Sequence, residues 1–217
     1  VVFQGNNVVD QDWAAAIFAD MGSSPASMEA GKMTDAYSCL PGHALEQADA
    51  EQAYVQAKLE GHETWICLPD ECLERHRNNP TLRHLFFDKD GNRLLNRPCV
   101  RLDYALYGHP DAGSCWERHC DKQLVSKGFV SVENWPSCYY HDVLKLMLMV
   151  YVDDFKLAGP RDNLAKGWEL IKDAVQMGEP EAPGMFLGCD HRPFTTELPD
   201  GTAINGMEYD CAHYLGD

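Results

Sequence analysis

The sequence predicts an α+β domain, and three observations carry the prediction. Stretches with strand character and stretches with helical character interleave, without the regular repeat of βαβ units. Near the middle, LKLMLMVYVDDFKLAG (residues 144–159) reads as an apolar hairpin. Helical patterns flank it, SCWERHCDKQLVSKG before and an amphipathic stretch over 160–177 after. At 217 residues, 45% hydrophobic with five Trp, the chain can bury one good core and lies outside the range of disordered sequences. Its longest apolar run, around 144–152, is too short to span a bilayer, so no membrane segment is expected. The chain starts at Val1, and VVFQGNNVV has no basic region followed by an apolar one. It therefore reads as an internal piece of something longer, without a signal peptide.

Taken in order, GSSPASMEAGKMTDAYSCL predicts a helix with Ser24 as N-cap and Pro25 at its first position, ended by Pro41-Gly42. LEQADA reads as a short strand and EQAYVQAKL as a helical turn or two. ETWICL is another short strand. KDGN (Lys89 to Asn92) signals a hairpin in a basic segment, and NRPCVRL a strand leaving it. ALYGHPDAG is loop-like around Gly108, Pro110 and Gly113, and the helix after it stops at Gly128. Strands follow over 137–141, 144–152 and 155–158, then the helix over 160–177 and a short strand over 185–189.

The net charge of −16 runs against nucleic-acid binding, where cationic side chains neutralise phosphates. Its distribution is uneven. Twelve acids face only Lys32 and Lys58 over residues 1–72, whereas Arg75, Arg77, Arg83, Lys89, Arg93, Arg97 and Arg101 make a basic island. Such an island could track a phosphate backbone or form a solvated face. The nine cysteines show no paired CxxC spacing and read as reduced thiols of an intracellular protein. Cys67, Cys72 and His76 approach a metal pattern but lack a fourth ligand.

Asp153 and Asp154 pose the chemical question. Adjacent aspartates occur in two-residue turns because aspartate tolerates positive φ. Between strands apolar on both faces, however, two carboxylates are costly unless something positive neutralises them. A divalent cation with oxygen ligands suits that need, and Mg²⁺ suits adjacent carboxylates. Asp49 closes another short strand. If the two strands are neighbours, three carboxylates meet at one sheet end and can hold two metal ions for in-line phosphoryl transfer.

Four blocks of the sequence resemble, in order, those of copia-type (Ty1/copia) retrotransposon reverse transcriptases: QADAEQAYVQAKLEGHETWICLP, RLDYALYGHPDAGSCW, LMLMVYVDDFKLAG and MFLGCDH. The resemblance covers most of residues 1–191. It implies a reverse-transcriptase palm, a ferredoxin-like antiparallel sheet of three or four strands backed by helices, with partial fingers. It divides the chain into a fingers part with a supporting helix (1–43), palm (44–69), a fingers-like basic segment (70–101), palm again (102–190) and a connection toward a thumb (191–217). The implied activity is RNA-directed DNA polymerisation, with deoxynucleotidyl transfer to a primer 3′-hydroxyl.

By the same resemblance, Asp49, Asp153 and Asp154 are the catalytic, metal-binding carboxylates, and the Ala50 carbonyl adds a ligand to two Mg²⁺ ions, for which Mn²⁺ can substitute. Tyr54 falls at the aromatic gate that collides with a ribose 2′-hydroxyl. Gly108 and Asp111 lie in the nucleotide-binding loop, and Tyr151, Val152, Arg97 and Arg101 would meet primer and template. The implied partners are an RNA template, a DNA or tRNA primer, dNTPs and the rest of a Pol polyprotein with integrase and ribonuclease H. The implied location is intracellular, in a cytoplasmic virus-like particle or the nucleus.

The pattern also departs from the family. Pro110 and Asp111 replace a lysine and a nucleotide-contacting glutamine, and Asp103 and Tyr104 replace lysines. A general acid for pyrophosphate departure is expected, with Lys166 and Lys172 as candidates. These departures point to an alternative, an inactive or domesticated palm that binds nucleic acid or protein. A ferredoxin-like domain with no polymerase ancestry is a third reading.

Overall fold

The computed structural model describes residues 8–10, 12–16 and 24–212. The first helix, α1 (Met28–Ser38), is capped by Ser27, whose Oγ accepts from Ala30 N at 3.2 Å. The start lies three residues beyond the predicted Ser24 cap, because tertiary pairing claims the preceding chain. Ser24 O accepts from Ser137 Oγ, and Ala26 N donates to Val150 O. Residues 24–26 thus run alongside a strand before the helix can begin.

Strand β1 (His43–Asp49) leads into α2 (Ala53–Gln56), a single turn. The basic segment is bracketed by β2 (Trp65–Cys67) and β3 (Cys99–Arg101), and it holds two short helices that the sequence reading missed, α3 (Asp70–His76) and α4 (Arg83–Phe86). The expected turn at Lys89–Asn92 is present. Asp88 N donates to Asn92 O, Gly91 takes φ 87°, and Phe87 bridges to Arg93. Helix α5 (Ala112–Ser126) ends before Gly128, at φ 92°. Strands β4 (Val130–Ser131), β5 (Cys138–His141), β6 (Leu146–Tyr151) and β7 (Asp154–Pro160) follow as an antiparallel run. Helix α6 (Arg161–Ala174) stops three residues short of Met177. The cause is again pairing, since Met177 bridges to Ala50 and Gly178 N donates to Asp49 O.

The predicted strand over 185–189 is a hairpin. Leu187 and Gly188, at φ 50° and 80°, turn β8 (Met185–Phe186) into β9 (Cys189–Glu197). β9 crosses the expected boundary at 190–191 and pairs with β10 (Ala203–Asp210).

Among the described residues the fold is mixed α and β, with six helices and a five-stranded antiparallel sheet in the order β1-β7-β6-β5-β4. The sheet exceeds the expected three or four strands by β4, which is only two residues long, with both of them exposed. β8–β10 and β2–β3 form separate small sheets. Leu146, Leu148, Val150, Phe155 and Leu157 pack on α5 and α6, where Trp116, Leu124, Leu164, Trp168 and Ile171 are buried. Gly167 permits that approach, since a Cβ there would sit 2.4 Å from Leu146 Cδ1. The other sheet face meets α1 and Phe186 through Met149.

On that second face lies a charged pair. Lys156, in the middle of β7, donates to Asp35 Oδ1 of α1 at 2.8 Å, with both side chains about 1% exposed. Tyr209 Oη donates to Asp35 Oδ2, and the ammonium stands 4.3 Å from the Phe186 ring centroid. Burial lowers the Lys156 pKa, and the Asp35 carboxylate opposes that shift.

Candidate functional site: three carboxylates at one sheet end

β1 and β7 are neighbours, and their register places Asp49 directly opposite Asp154. Across β7's other side, Asp154 pairs with Tyr151. Cross-strand partners share a face, so Tyr151, Asp154 and Asp49 form a row across three strands. Asp153 lies in the two-residue turn between β6 and β7, and its carbonyl accepts from Ala50 N at 2.7 Å. That bond fixes the end of the first strand to the turn.

The turn's unusual backbone belongs to Val152, at φ 56°. A β-branched residue in this region is a steric outlier, so aspartate's tolerance of positive φ does not explain the paired aspartates. The strained carbonyl is anchored, as Trp116 Nε1 donates to Val152 O at 2.7 Å. Trp116 closes the second resemblance block in the sequence, but nothing there shows that it reaches 36 residues along the chain to the turn.

Asp154 is half-buried, and its carboxyl is pushed up to about 6. Burial is the largest cause, followed by the charges of Asp153 and Asp49 and a hydrogen bond to Asp49 that favours the protonated form. The same field reaches the aromatics. Tyr54 and Tyr107, with ring centroids 4.5 Å apart, both have phenol pKa values raised by burial first and then by Asp153. Tyr54 therefore sits with the carboxylates, beside Tyr107 of the ALYG stretch, for which the sequence suggests no role.

The remaining candidates are distributed around this point. Gly108 follows Tyr107 with φ 93°. Asp111 is buried at the start of α5, and its backbone N donates to His109 Nδ1 at 3.1 Å. Arg101 forms ion pairs with Glu63 and Asp103, and Arg97 is exposed on the approach to β3. Elsewhere on the basic island, Arg77 and Arg93 bind Glu74, and Arg93 also binds Asp70. Of the two lysines on α6, Lys172 pairs with Glu179 and Lys166 is exposed. Cys67 faces Cys99 in the β2–β3 hairpin and does not gather with Cys72 and His76.

Among the described residues, no group of three or more His, Cys, Asp or Glu side chains is arranged to hold a metal ion. The donors at the sheet end still match a hard divalent cation in kind, being carboxylate oxygens, with Asp154 raised by burial first and then by the charges of Asp153 and Asp49. Holding one requires their side chains to turn toward a common point. Among the described residues, no helix is long and apolar enough to cross a membrane. Comparison with protein-family models finds no match, and neither does comparison with curated proteins.

Proposed function

We propose that this chain is the palm, with part of the fingers, of an RNA-directed DNA polymerase of the copia-type retrotransposon kind. One observation carries the reading: Asp49 and Asp154 are register partners, with Asp153 in the adjoining turn. Two Mg²⁺ ions, or Mn²⁺ in their place, would be held by Asp49, Asp153, Asp154 and the Ala50 carbonyl, supplying charge stabilisation for the attacking and leaving oxygens. The chain's own residues do the positioning. The Trp116 bond and the Ala50 bond hold the turn that presents Asp153. Tyr54, braced against Tyr107, would exclude a ribose 2′-hydroxyl from a deoxynucleotide site. Tyr151, in the same row as Asp154, would face the primer terminus. The partners in this reading are an RNA template, a DNA or tRNA primer and dNTPs.

Two measurements test it. Crystals soaked with Mn²⁺ should show anomalous density against Asp49 and Asp153, and density confined to other sites would sink the metal assignment. Primer extension on an RNA template should require Mg²⁺ or Mn²⁺ and fall about 100-fold or more in Asp153→Asn.

A second reading, an inactive or domesticated palm that binds nucleic acid or protein, is favoured by the ion pairs on the basic segment. Arg77, Arg93 and Arg101 already have carboxylate partners, so fewer cations are open to phosphates. That reading expects manganese binding without extension.

A further inference from the structure

The β2–β3 hairpin brackets residues 68–98 and contributes no strand to the five-stranded sheet. At the end from which that loop leaves, Cys67 and Cys99 are register partners with their sulfurs 2.9 Å apart. The ladder fixes the kind of pair they make. Leu68 N donates to Pro98 O and Leu102 N to Thr64 O, so these are hydrogen-bonded pairs. Alternation along the antiparallel ladder then makes Cys67 and Cys99 a non-hydrogen-bonded pair, the closer kind, with Cα atoms about 4.5 Å apart. That separation lies within the span a disulfide bridges. Both thiols are exposed, so an oxidant can reach either sulfur.

We propose that Cys67 and Cys99 form a reversible disulfide that closes residues 68–98 into a covalent loop. The oxidant class is a low-molecular-weight disulfide such as oxidised glutathione. One cysteine thiolate attacks a sulfur of that disulfide, forming a mixed disulfide and releasing one thiol. The second cysteine thiolate then attacks the protein sulfur of the mixed bond and releases the other thiol. The cysteine pair is oxidised, losing two electrons and two protons, and the small disulfide is reduced to two thiols. An exposed cross-strand bond belongs to the labile class that a thiol pool can reverse.

A second pair, Cys189 and Cys211, stands with sulfurs 3.0 Å apart at the end of β9–β10. Burial pushes the Cys189 thiol up to about 11, which leaves little attacking thiolate. The Cys99 thiol is raised too, by its hydrogen bond to Cys67 and then by burial, and Cys211 is exposed, so the thiols of both pairs are followed in the same test. Cys72, in the loop between them, serves as an internal reference thiol.

The test incubates the full reduced chain with oxidised glutathione at pH 8, alkylates the remaining thiols and maps the peptides by mass. The expected products include a linked peptide pair carrying Cys67 and Cys99, two hydrogens lighter than its reduced parts. A thiol reductant should restore both, with Cys72 alkylated throughout. In Cys99→Ser, Cys67 should stop at the glutathione adduct. Digestion by trypsin at Arg75, Arg77 and Arg83 should slow about tenfold in the oxidised chain, as loop closure suppresses local opening. The proposal is overturned if both cysteines remain alkylated, if they accumulate as separate glutathione adducts, or if either links elsewhere.

Discussion

Asp154 and Lys156 stand two residues apart on the same strand and point to the same sheet face, yet their charges are treated in opposite ways. Lys156 is about 1% exposed and is met by an equally buried Asp35, with Tyr209, His191 and Phe186 around the pair. Asp154 is half-buried and met by more negative charge, from Asp49 across the strand pair and Asp153 in the turn. One position is compensated within the chain. The other leaves repulsion that a cation from outside would relieve. Uncompensated charge beside a compensated one separates a structural ion pair from a candidate site more sharply than burial alone does.

The comparison can be broken at its stronger end first. Asp35→Ala leaves the Lys156 ammonium buried without its partner and should destabilise the protein by about 3–5 kcal/mol in a denaturant titration. The double change Asp35→Leu with Lys156→Met should recover most of that loss. If Asp35→Ala costs less than about 1 kcal/mol, the buried pair contributes little to holding the fold.

Next in size is the effect of a cation. Mn²⁺ at about 100 times its dissociation constant should stabilise the folded chain by about 2.7 kcal/mol at pH 8. Thermal melts of Asp49→Asn and Asp153→Asn should lose most of that gain. An equal shift in wild type and both variants would place the ion elsewhere.

Asp154→Asn follows, and its sign depends on pH. The folded pKa of Asp154 is raised to about 6, so the folded state holds a proton that the unfolded state has released between about 4 and 6. The associated stability is fully present below about pH 4 and is lost as pH rises through about 6. At pH 8 the substitution removes an unfavourable charge and should stabilise by about 1–2 kcal/mol, a figure reduced for the group's partial exposure. At pH 4 the difference should nearly vanish. Urea titrations at the two pH values read it directly.

Smallest is Val152→Asn. Asparagine accepts the left-handed backbone that valine resists, so the substitution should stabilise by about 1 kcal/mol. If it destabilises instead, packing of the valine side chain outweighs the strain.

The two regions were not equally legible in sequence. The hairpin over 144–159 announced itself because both of its strands are buried on both faces, producing a continuous apolar run around two aspartates. Asp49 could be placed at a strand end, although the sequence could only suppose that its strand neighbours the hairpin. Lys156 could not be read at all. It lies in an apolar strand, and its partner is 121 residues away on a helix face. The tail was opaque for the opposite reason, since β9 is exposed over most of its length and shows no alternation to detect. In the basic segment, composition showed the arginines but not Glu74, Asp70 and Glu63 folding back onto them. The β2–β3 thiol pair was hidden too, because strand register decides which cysteines meet.

The position of β1 at the margin of the main sheet shapes how the molecule comes together during synthesis. β1 leaves the ribosome roughly a hundred residues before β7, the strand that pairs with it, which at about 5–20 residues per second is a wait of roughly 5–20 s. Its outer side waits longer still, for Met177, Gly178 and Glu181 to seal it. Until then the nascent chain carries an unpaired strand, the form most open to pairing with another copy. The carboxylates come together only once that long loop has closed, so no shorter intermediate carries the complete cluster.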